Sequence, residues 1–419
     1  MKVTVLGAAG EVGRSAFTVE SNGTRLLLDY GVQTNREPLF PVHIRPRDVE
    51  GVILSHAHLD HVGGAPLLYL GEGLPAYGTP VTKSLTELLL YDFLKISGDY
   101  LPFDAESVSN FSKNYVSKGY EEGFKIGSID AVLFDAGHIP GSAITYLTGD
   151  RRLLYTGDMN TTKTQLLDGV RMPVLESDIV ITESTYSYSD HPARKDEEVR
   201  FIEKAREIVE SGGVFLVPSF AVGRAQEIAC ILYSYGFKGK VYMDGMALKT
   251  NSILLENRPY IRDYELLSKA LSSVEYIQDW AKRKRVVKEP CVIISPAGML
   301  VGGASIFYNS RIANDQKSAV AIVSFQVEGS PGRRLLEKRE VTIDGKRYKK
   351  VKASIYRFDF SSHLGKSELL NFFKTKIKGS PKIIVVHGER RYSESFAGEL
   401  KSELGFDASV PEMGESLVV

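Results

Sequence analysis

The stretch Ser55-His56-Ala57-His58-Leu59-Asp60-His61 gathers three of the chain's eight histidines and a carboxylate into seven residues. Imidazole nitrogens and carboxylate oxygens are metal donors. Packed side by side on a solvated surface they gain nothing; buried, every ring nitrogen needs a partner. A divalent cation satisfies them together, because neutral imidazole is a good zinc ligand and carboxylate an acceptable one. The apolar run Val52-Ile53-Leu54 leads in as a buried strand. After Val62-Gly63-Gly64, the segment Ala65 to Leu70 can start a helix. His56 and His58 are two apart, so in extended backbone they point to the same side. Asp60 and His61 lie past the strand and can turn toward a second point. The spacing therefore suits two metal ions rather than one.

Other chemistry-bearing residues repeat this placement, one at the C-terminal end of each apolar strand. Leu26-Leu27-Leu28 delivers Asp29, an acid able to hold a neighbouring backbone or histidine, or simply to cap a turn. Ile129 to Phe134 delivers His138, with Gly137 and Gly141 letting the backbone turn closely around it. Leu153-Leu154-Tyr155 delivers Asp158, and Ile179-Val180-Ile181 delivers Glu183. Tyr356 to Phe360 leads to His363, and Lys382 to Val386 leads to His387. Binding residues collect at such strand ends. His43 and His191 lack this setting and read as structural.

The elements that must carry these residues are α/β. The Gly7-Ala8-Ala9-Gly10-Glu11-Val12-Gly13 run with Asp29 imitates a dinucleotide fingerprint, but that fingerprint needs a helix before the second strand. Ser15 to Val19 is short and β-rich, and Asn22-Gly23 is a strong hairpin signal. An antiparallel hairpin is expected, and no nucleotide site. Thr82 to Ser97 and Asp104 to Tyr115 read as scaffold helices. From about Tyr188 the pattern becomes an alternation. Helices are expected at Arg194–Glu210, Arg224–Tyr235 and Ser305–Ala313. Strands are expected at Val214–Val217, Lys240–Met243, Cys291–Ile294 and Ala319–Ser324. That alternation predicts a second domain with a mostly parallel sheet covered on both faces. Two of its strand-to-helix turns, around Ser219 to Arg224 and around Gly298, Gly302 and Gly303, could offer backbone N–H groups to phosphate. Glu340 to Val351 reads as a hairpin turning at Asp344-Gly345. The run Lys282-Arg283-Lys284-Arg285 is most simply a solvated face, with contact to a polyanion as the sharper alternative.

Composition sets the frame. The 419 residues suggest two compact units. Hydrophobic content of 43% and charged content of 25% are ordinary for a globular protein. The formal net charge is zero, so any anion site must be local. The two cysteines, Cys230 and Cys291, lie in apolar runs without metal spacing and read as buried thiols of a reducing compartment. No window suggests a membrane span and the N-terminus shows no signal pattern, so a cytoplasmic location is expected.

Together these residues resemble the metallo-β-lactamase fold in its β-CASP nuclease branch. His56-x-His58-x-Asp60-His61 with Asp29, His138 and Asp158 matches the lactamase-fold motifs. Glu183, His363 and His387 match three further motifs of the branch. Glu at 183 and Phe360-Ser361-Ser362-His363 are more similar to the cleavage and polyadenylation specificity factor group than to ribonuclease J. The nearest likeness is to short archaeal members without an RNA-binding extension. Ser362 stands where alanine is frequent.

The resemblance implies an αββα sandwich formed by residues 1–187 and 363–419, with an inserted parallel-sheet domain at 188–362. It implies two zinc ions, one on His56, His58 and His138, the other on Asp60, His61 and His387, bridged by Asp158. Asp29 stands behind the ligands. Asp60, Glu183 and His363 are the implied catalytic groups, with His363, oriented by Glu183, donating a proton to the leaving oxygen. The implied activity is hydrolysis of single-stranded RNA to 5′-phosphate and 3′-hydroxyl ends, by endonuclease or 5′-to-3′ exonuclease action, in 3′-end processing, maturation or decay. Ser219, Arg224, Gly298, Gly302 and Gly303 are the candidate phosphate contacts, and a cleft between the domains is the expected place for substrate. A homodimer, or association with a longer family member, are the assemblies open to the chain. The competing readings are a DNA-processing nuclease of the same branch and a thioester or small-molecule metallo-hydrolase.

Overall fold

The computed structural model describes residues 1–34, 37–71, 73–326, 329–343 and 347–419. They form two compact units. The first comprises Met1–Lys163, Asp168–Asp190 and Ser362–Val419; the second comprises Thr164–Leu167 and His191–Ser361. The boundaries thus fall at 190/191 and 361/362, where the sequence placed 187/188 and 362/363. Residues 164–167 were not foreseen in the second unit. They belong there because the Glu227 carboxylate accepts the amides of Gln165 and Leu166 at 2.9 and 3.1 Å, and Leu166 O accepts from Arg262 N at 2.8 Å.

Two seven-stranded sheets build the first unit. One runs in the order Ser416–Val418, Lys2–Val5, Phe17–Ser21, Thr24–Leu28, Val52–Ile53, Ala76–Gly78, Tyr115–Ser117. The other runs Asp407–Ser409, Lys382–Val386, Ile179–Glu183, Arg152–Tyr155, Ala143–Thr148, Ile129–Asp135, Gly123–Ile126. Side-chain alternation divides each strand between two layers. Ile179 and Ile181 join Val3, Val5, Phe17, Val19 and Leu28 in the core between the sheets. Val180 faces the other way, toward Leu369, Phe373 and Phe396 of the helices Lys366–Lys376 and Arg390–Leu404. On the far side, Leu27, Val52 and Ala76 pack on Leu90, Phe93 and Phe111 of the helices Pro80–Ser97 and Ala105–Lys113. The layers are therefore helix, sheet, sheet, helix.

The N-terminal glycine run carries no helix. Lys2–Val5 pairs antiparallel with Phe17–Ser21, which returns through Asn22-Gly23 to Thr24–Leu28. Both turn residues are left-handed, with φ of 47° and 81°, as a tight hairpin requires.

The second unit holds a six-stranded, all-parallel sheet in the order Glu275–Ile277, Lys240–Asp244, Cys291–Ser295, Val214–Pro218, Ala319–Ile322, Ser354–Arg357. Its central strands are buried throughout, as expected when helices cover both faces. A separate antiparallel pair, Glu340–Ile343 with Arg347–Lys350, forms the expected hairpin arms; the Asp344-Gly345 turn lies outside the described residues. Cys230 and Cys291 are free and buried. Among the described residues no helix is long and apolar enough to cross a membrane.

Candidate metal centre

Both sheets of the first unit deliver side chains to one place. Thr24–Leu28 and Val52–Ile53 run parallel and end beside each other, bringing Asp29 to the loop that starts at Ser55. In the second sheet Ile179–Glu183 pairs with Lys382–Val386 in a register that sets Glu183 opposite Val386, so His387 follows immediately beside it. Asp60 and His61 do not sit in a loop before a later helix, as the sequence suggested. They lie on a one-turn helix, Leu59–Val62, and Ala65–Tyr69 is a 3-10 helix. That turn aims Asp60 and His61 at a second donor group, while the His61 ring stays beside the His56 ring with centroids 4.1 Å apart.

Two donor groups form without His363: His56, His58, His138 and Asp158 make one, and Asp60, His61 and His387 the other; a third, Asp158, Glu183 and His363, shares Asp158 with the first. In the first, His58 Nδ1 lies 3.2 Å from both His56 Nε2 and His138 Nε2. Asp158 Oδ2 lies 3.5 Å from His56 Nε2 and 3.7 Å from His138 Nε2. Ligands bonded tetrahedrally to zinc at ~2.0–2.1 Å stand about 3.3 Å apart, so the spacing fits. In the second, Asp158 Oδ1 lies 3.4 Å from His61 Nε2, and His387 Nε2 lies 3.3 Å from Asp60 Oδ2. Asp158 thus presents one oxygen to each group. His61 Nε2 and Asp158 Oδ1 are buried without a hydrogen-bond partner among the described residues. Buried polar atoms need partners, and a cation shared by these donors supplies them. The residues fit divalent metal.

The outward nitrogens are fixed, which orients the inward ones. His61 Nδ1 bonds Asp29 Oδ2 at 2.7 Å. Asp29, in left-handed backbone with φ of 54°, also accepts from Ser55 N, Ser55 Oγ and Tyr155 OH at 2.7, 2.7 and 2.6 Å. His56 Nδ1 lies 3.1 Å from Ser55 Oγ. His138 Nδ1 donates to Ser362 O at 2.7 Å, and Thr185 Oγ1 lies 3.2 Å from His387 Nδ1. Ser55, Tyr155, Thr185 and the Ser362 carbonyl were not singled out for these contacts from the sequence. Tyr155 alone left a signal, a hydroxyl at the end of an apolar strand.

Electrostatics divides the histidines. Burial holds His56 and His138 well below the usual imidazole range and brings His58 to about 4, so all three are neutral ligands at pH 7. His61 is opposite. Burial disfavours its charge, but the Asp158 and Asp29 carboxylates outweigh that and push it well above the usual range.

Beside the metal groups stands a second pair. His363 Nδ1 bonds Glu183 Oε2 at 2.8 Å, and Glu183 Oε1 accepts from Met159 N at 2.8 Å. His363 Nε2 then faces inward, 4.0 Å from Asp158 Oδ2. Burial lowers the His363 pKa, but Glu183 and Asp158 more than compensate and raise it to about 9.

The phosphate candidates all lie in the second unit. Pro218 pairs with Ser295, so the two turns are neighbours. A side chain on Gly298 would meet Ser324 Oγ at 3.1 Å and Phe220 N at 3.2 Å. Ser219 Oγ and Ser324 Oγ are buried without hydrogen-bond partners among the described residues. Some amides expected to face an anion are already engaged: Ser219 N donates to Ser295 O at 3.0 Å and Arg224 N to Val222 O at 2.9 Å. Gly302 stands in open space, and Gly303 begins the helix Gly303–Ile312. In the Lys282–Arg285 run, Arg283 makes two 2.8 Å bonds to buried Asp244 and Lys282 Nζ bonds Tyr276 O at 2.8 Å, so half of it serves the fold. His191 Nδ1 lies 3.0 Å from Asp359 Oδ2, and His43 is exposed.

Comparison with known proteins agrees with this arrangement. Residues 9–202 match the metallo-beta-lactamase superfamily, 225–335 the Beta-Casp domain, and 348–411 the Zn-dependent metallo-hydrolase RNA specificity domain. The chain is 38% identical over 419 residues to RNase aCSPSF2 of Saccharolobus solfataricus, spanning 99% of this chain and 84% of that one. It is 34% identical over 430 residues to Probable RNase MJ4 of Methanocaldococcus jannaschii, spanning 100% of both. Its fold is shared with a crystal structure of a protein of unknown function from Enterococcus faecalis V583, with a TM-score of 0.65, 15% identity, and 100% and 99% of the two chains covered. The chain belongs to the metallo-β-lactamase superfamily, in the branch that carries a Beta-Casp domain.

Proposed function

We propose that this chain is a zinc-dependent ribonuclease that hydrolyses phosphodiester bonds of single-stranded RNA, leaving 5′-phosphate and 3′-hydroxyl ends. The observation that carries the reading is the His363–Glu183 pair set against two donor groups joined by Asp158. The match to an RNA specificity domain and the similarity to two proteins named as ribonucleases favour RNA over DNA or a thioester. A thioester hydrolase would have no use for a proton donor of this kind, because a thiolate leaves without one.

Histidine and carboxylate donors suit zinc, and two groups suit two ions. His56, His58 and His138 would hold one and Asp60, His61 and His387 the other, with an Asp158 oxygen on each. Such a pair, when bound, polarises the phosphodiester and activates water at neutral pH. The protein's own part is positional. Asp29, Ser55 and Tyr155 lock the His61 ring, and Ser362 O locks that of His138. Glu183 accepts at His363 Nδ1, which leaves the Nε2 proton for the departing 3′ oxygen. A well-placed acid contributes typically ~10²–10⁴-fold. Ser219, Ser324 and Arg224 are candidate contacts for substrate phosphate in the second unit.

The test uses RNA labelled at either end, with a DNA copy as control. Metal-loaded protein should cleave the RNA to products with 3′-hydroxyl ends. Internal fragments indicate endonuclease action, and mononucleotides from the 5′ end exonuclease action. Intact RNA alongside cleaved DNA would overturn the assignment.

A further inference from the structure

We propose that Asp359 is a positioning residue for the proton donor, holding the turn that delivers Ser362 and His363. The inference rests on the ribonuclease reading and deepens it. The chain approaches His363 from the strand Ser354–Arg357. Phe358 N still donates to Ile322 O at 2.9 Å, in step with the sheet. Beyond it the backbone leaves the sheet, and side chains take over its support. Asp359 N donates to Glu197 Oε2 at 2.8 Å, and Ser361 N donates to Asp359 Oδ1 at 3.1 Å. Asp359 belongs to the second unit, just before the boundary at 361/362, so its hold on His363 passes along the backbone.

The two carboxylate oxygens of Asp359 have separate tasks. Oδ1 accepts the amide two residues on, the bond by which an aspartate bends its own backbone into a turn. Oδ2 lies 3.0 Å from His191 Nδ1, which fixes the rotation of the carboxylate. The residues on either side are pinned by packing. Phe358 and Phe360 are buried, with ring centroids 5.2 and 5.5 Å from that of Phe201. Glu197 is held in its turn by Arg200, whose Nε and Nη2 donate to the two carboxylate oxygens at 3.0 and 2.6 Å. His191 and Glu197 thus converge on one aspartate.

Past the turn, the next contacts are those of the site. Ser362 O accepts from His138 Nδ1, and His363 Nδ1 bonds Glu183. Glu183 can hold the His363 ring only where the backbone delivers it, and a displacement of about 1 Å in a reacting group can cost ~10²-fold in rate. His138 is less dependent on the turn because its own loop supports it. Gly137 N donates to Asp135 Oδ1 at 2.9 Å and His138 N to Ser142 Oγ at 3.1 Å. Loss of the Asp359 turn should therefore strike proton transfer and spare the metal.

The experiment measures kcat, KM and metal content for wild-type protein, Asp359→Ala, His363→Ala and the double variant. Each is given ordinary RNA and a copy whose bridging 3′ oxygen is sulfur. Asp359→Ala should keep its metal and its KM and lose kcat on ordinary RNA by ~10–10²-fold. It should regain most of that loss on the sulfur copy, because a thiolate leaves without a proton. On the His363→Ala background the same change should cost little more, since residues that act through one another are not additive. Asp359→Asn keeps an acceptor for Ser361 N and should restore most of the rate. His191→Leu leaves the residues of the turn intact, should show the same substrate pattern at smaller size, and guards against a folding defect in Asp359→Ala. Equal losses on both substrates, multiplied losses in the double variant, or lost metal would overturn the positioning role while the ribonuclease reading stands. Wild-type protein that holds metal yet leaves every RNA intact would overturn both.

Discussion

Ser362 and His363 are adjacent, yet they meet different partners. The Ser362 carbonyl fixes the His138 ring at 2.7 Å, and His363 is fixed by Glu183 at 2.8 Å. The contact to His138 is made by the Ser362 backbone carbonyl, so serine in place of the frequent alanine leaves it intact. A proton donor must be protonated, so kcat should fall as pH rises through the His363 pKa, which the Glu183 and Asp158 carboxylates raise to about 9 and a neighbouring cation would lower. Glu183 raises that pKa, so Glu183→Gln should move the alkaline limb to lower pH. Profiles of kcat against pH for the two proteins check this, and coincident alkaline limbs would contradict it.

At the scale of elements, backbone approach places the metal turn. Ser15 N donates to Asp60 O at 2.8 Å, and Gly31 N donates to Ser15 O at 2.9 Å, so three segments meet at the Leu59–Val62 turn. A Cβ on Gly31 would lie 1.8 Å from Asp60 O and 2.7 Å from His61 N. Gly31→Ala should therefore displace Asp60 and His61, cost ~1–3 kcal/mol by overpacking, and lower metal content. Gly398→Ala, in a helix with nothing within 4 Å, should instead stabilise by about 0.5–1 kcal/mol. Denaturant unfolding and metal analysis of both variants check the pair.

Much of this was legible in the sequence, because each ligand follows an apolar run and strand ends are local signals. The αββα layering came with the family resemblance rather than from periodicity: Ile179, Val180 and Ile181 are all apolar and all buried, and only the structure shows Val180 turned to the helix layer and the isoleucines to the core between the sheets. The contacts that hold the ligands were not legible. Tyr155 meets Asp29 from 126 residues away and Ser362 meets His138 from 224, and such pairings depend on which strands become neighbours. The one-turn helix at Leu59–Val62 was missed because four residues show no helical period.

For the whole molecule, the seven proposed ligands come from the first unit alone, but from segments as far apart as His56 and His387. Metal should therefore tie the N-terminal part of that unit to its returning C-terminal segment. A ligand at about 100 times its Kd stabilises by about 2.7 kcal/mol. Chelation should lower the unfolding temperature of the first unit. Trp280 is the only tryptophan and lies in the second unit, so its fluorescence reports that unit separately. Its transition should shift less than the calorimetric transition of the first unit. Equal shifts would contradict the placement of metal in the first unit.

The donor groups and the proton donor are proposed to act on one P–O bond, and sulfur substitution separates their parts. A 3′-bridging phosphorothiolate leaves as a thiolate and needs no proton. Cleavage of this substrate and of ordinary RNA should be compared for wild-type protein and His363→Ala, with metal content measured on both. His363→Ala should keep its metal, cleave ordinary RNA ~10²–10⁴-fold more slowly, and recover most of that loss on the sulfur substrate. A variant equally impaired on both substrates, or one that has lost its metal, would contradict the account.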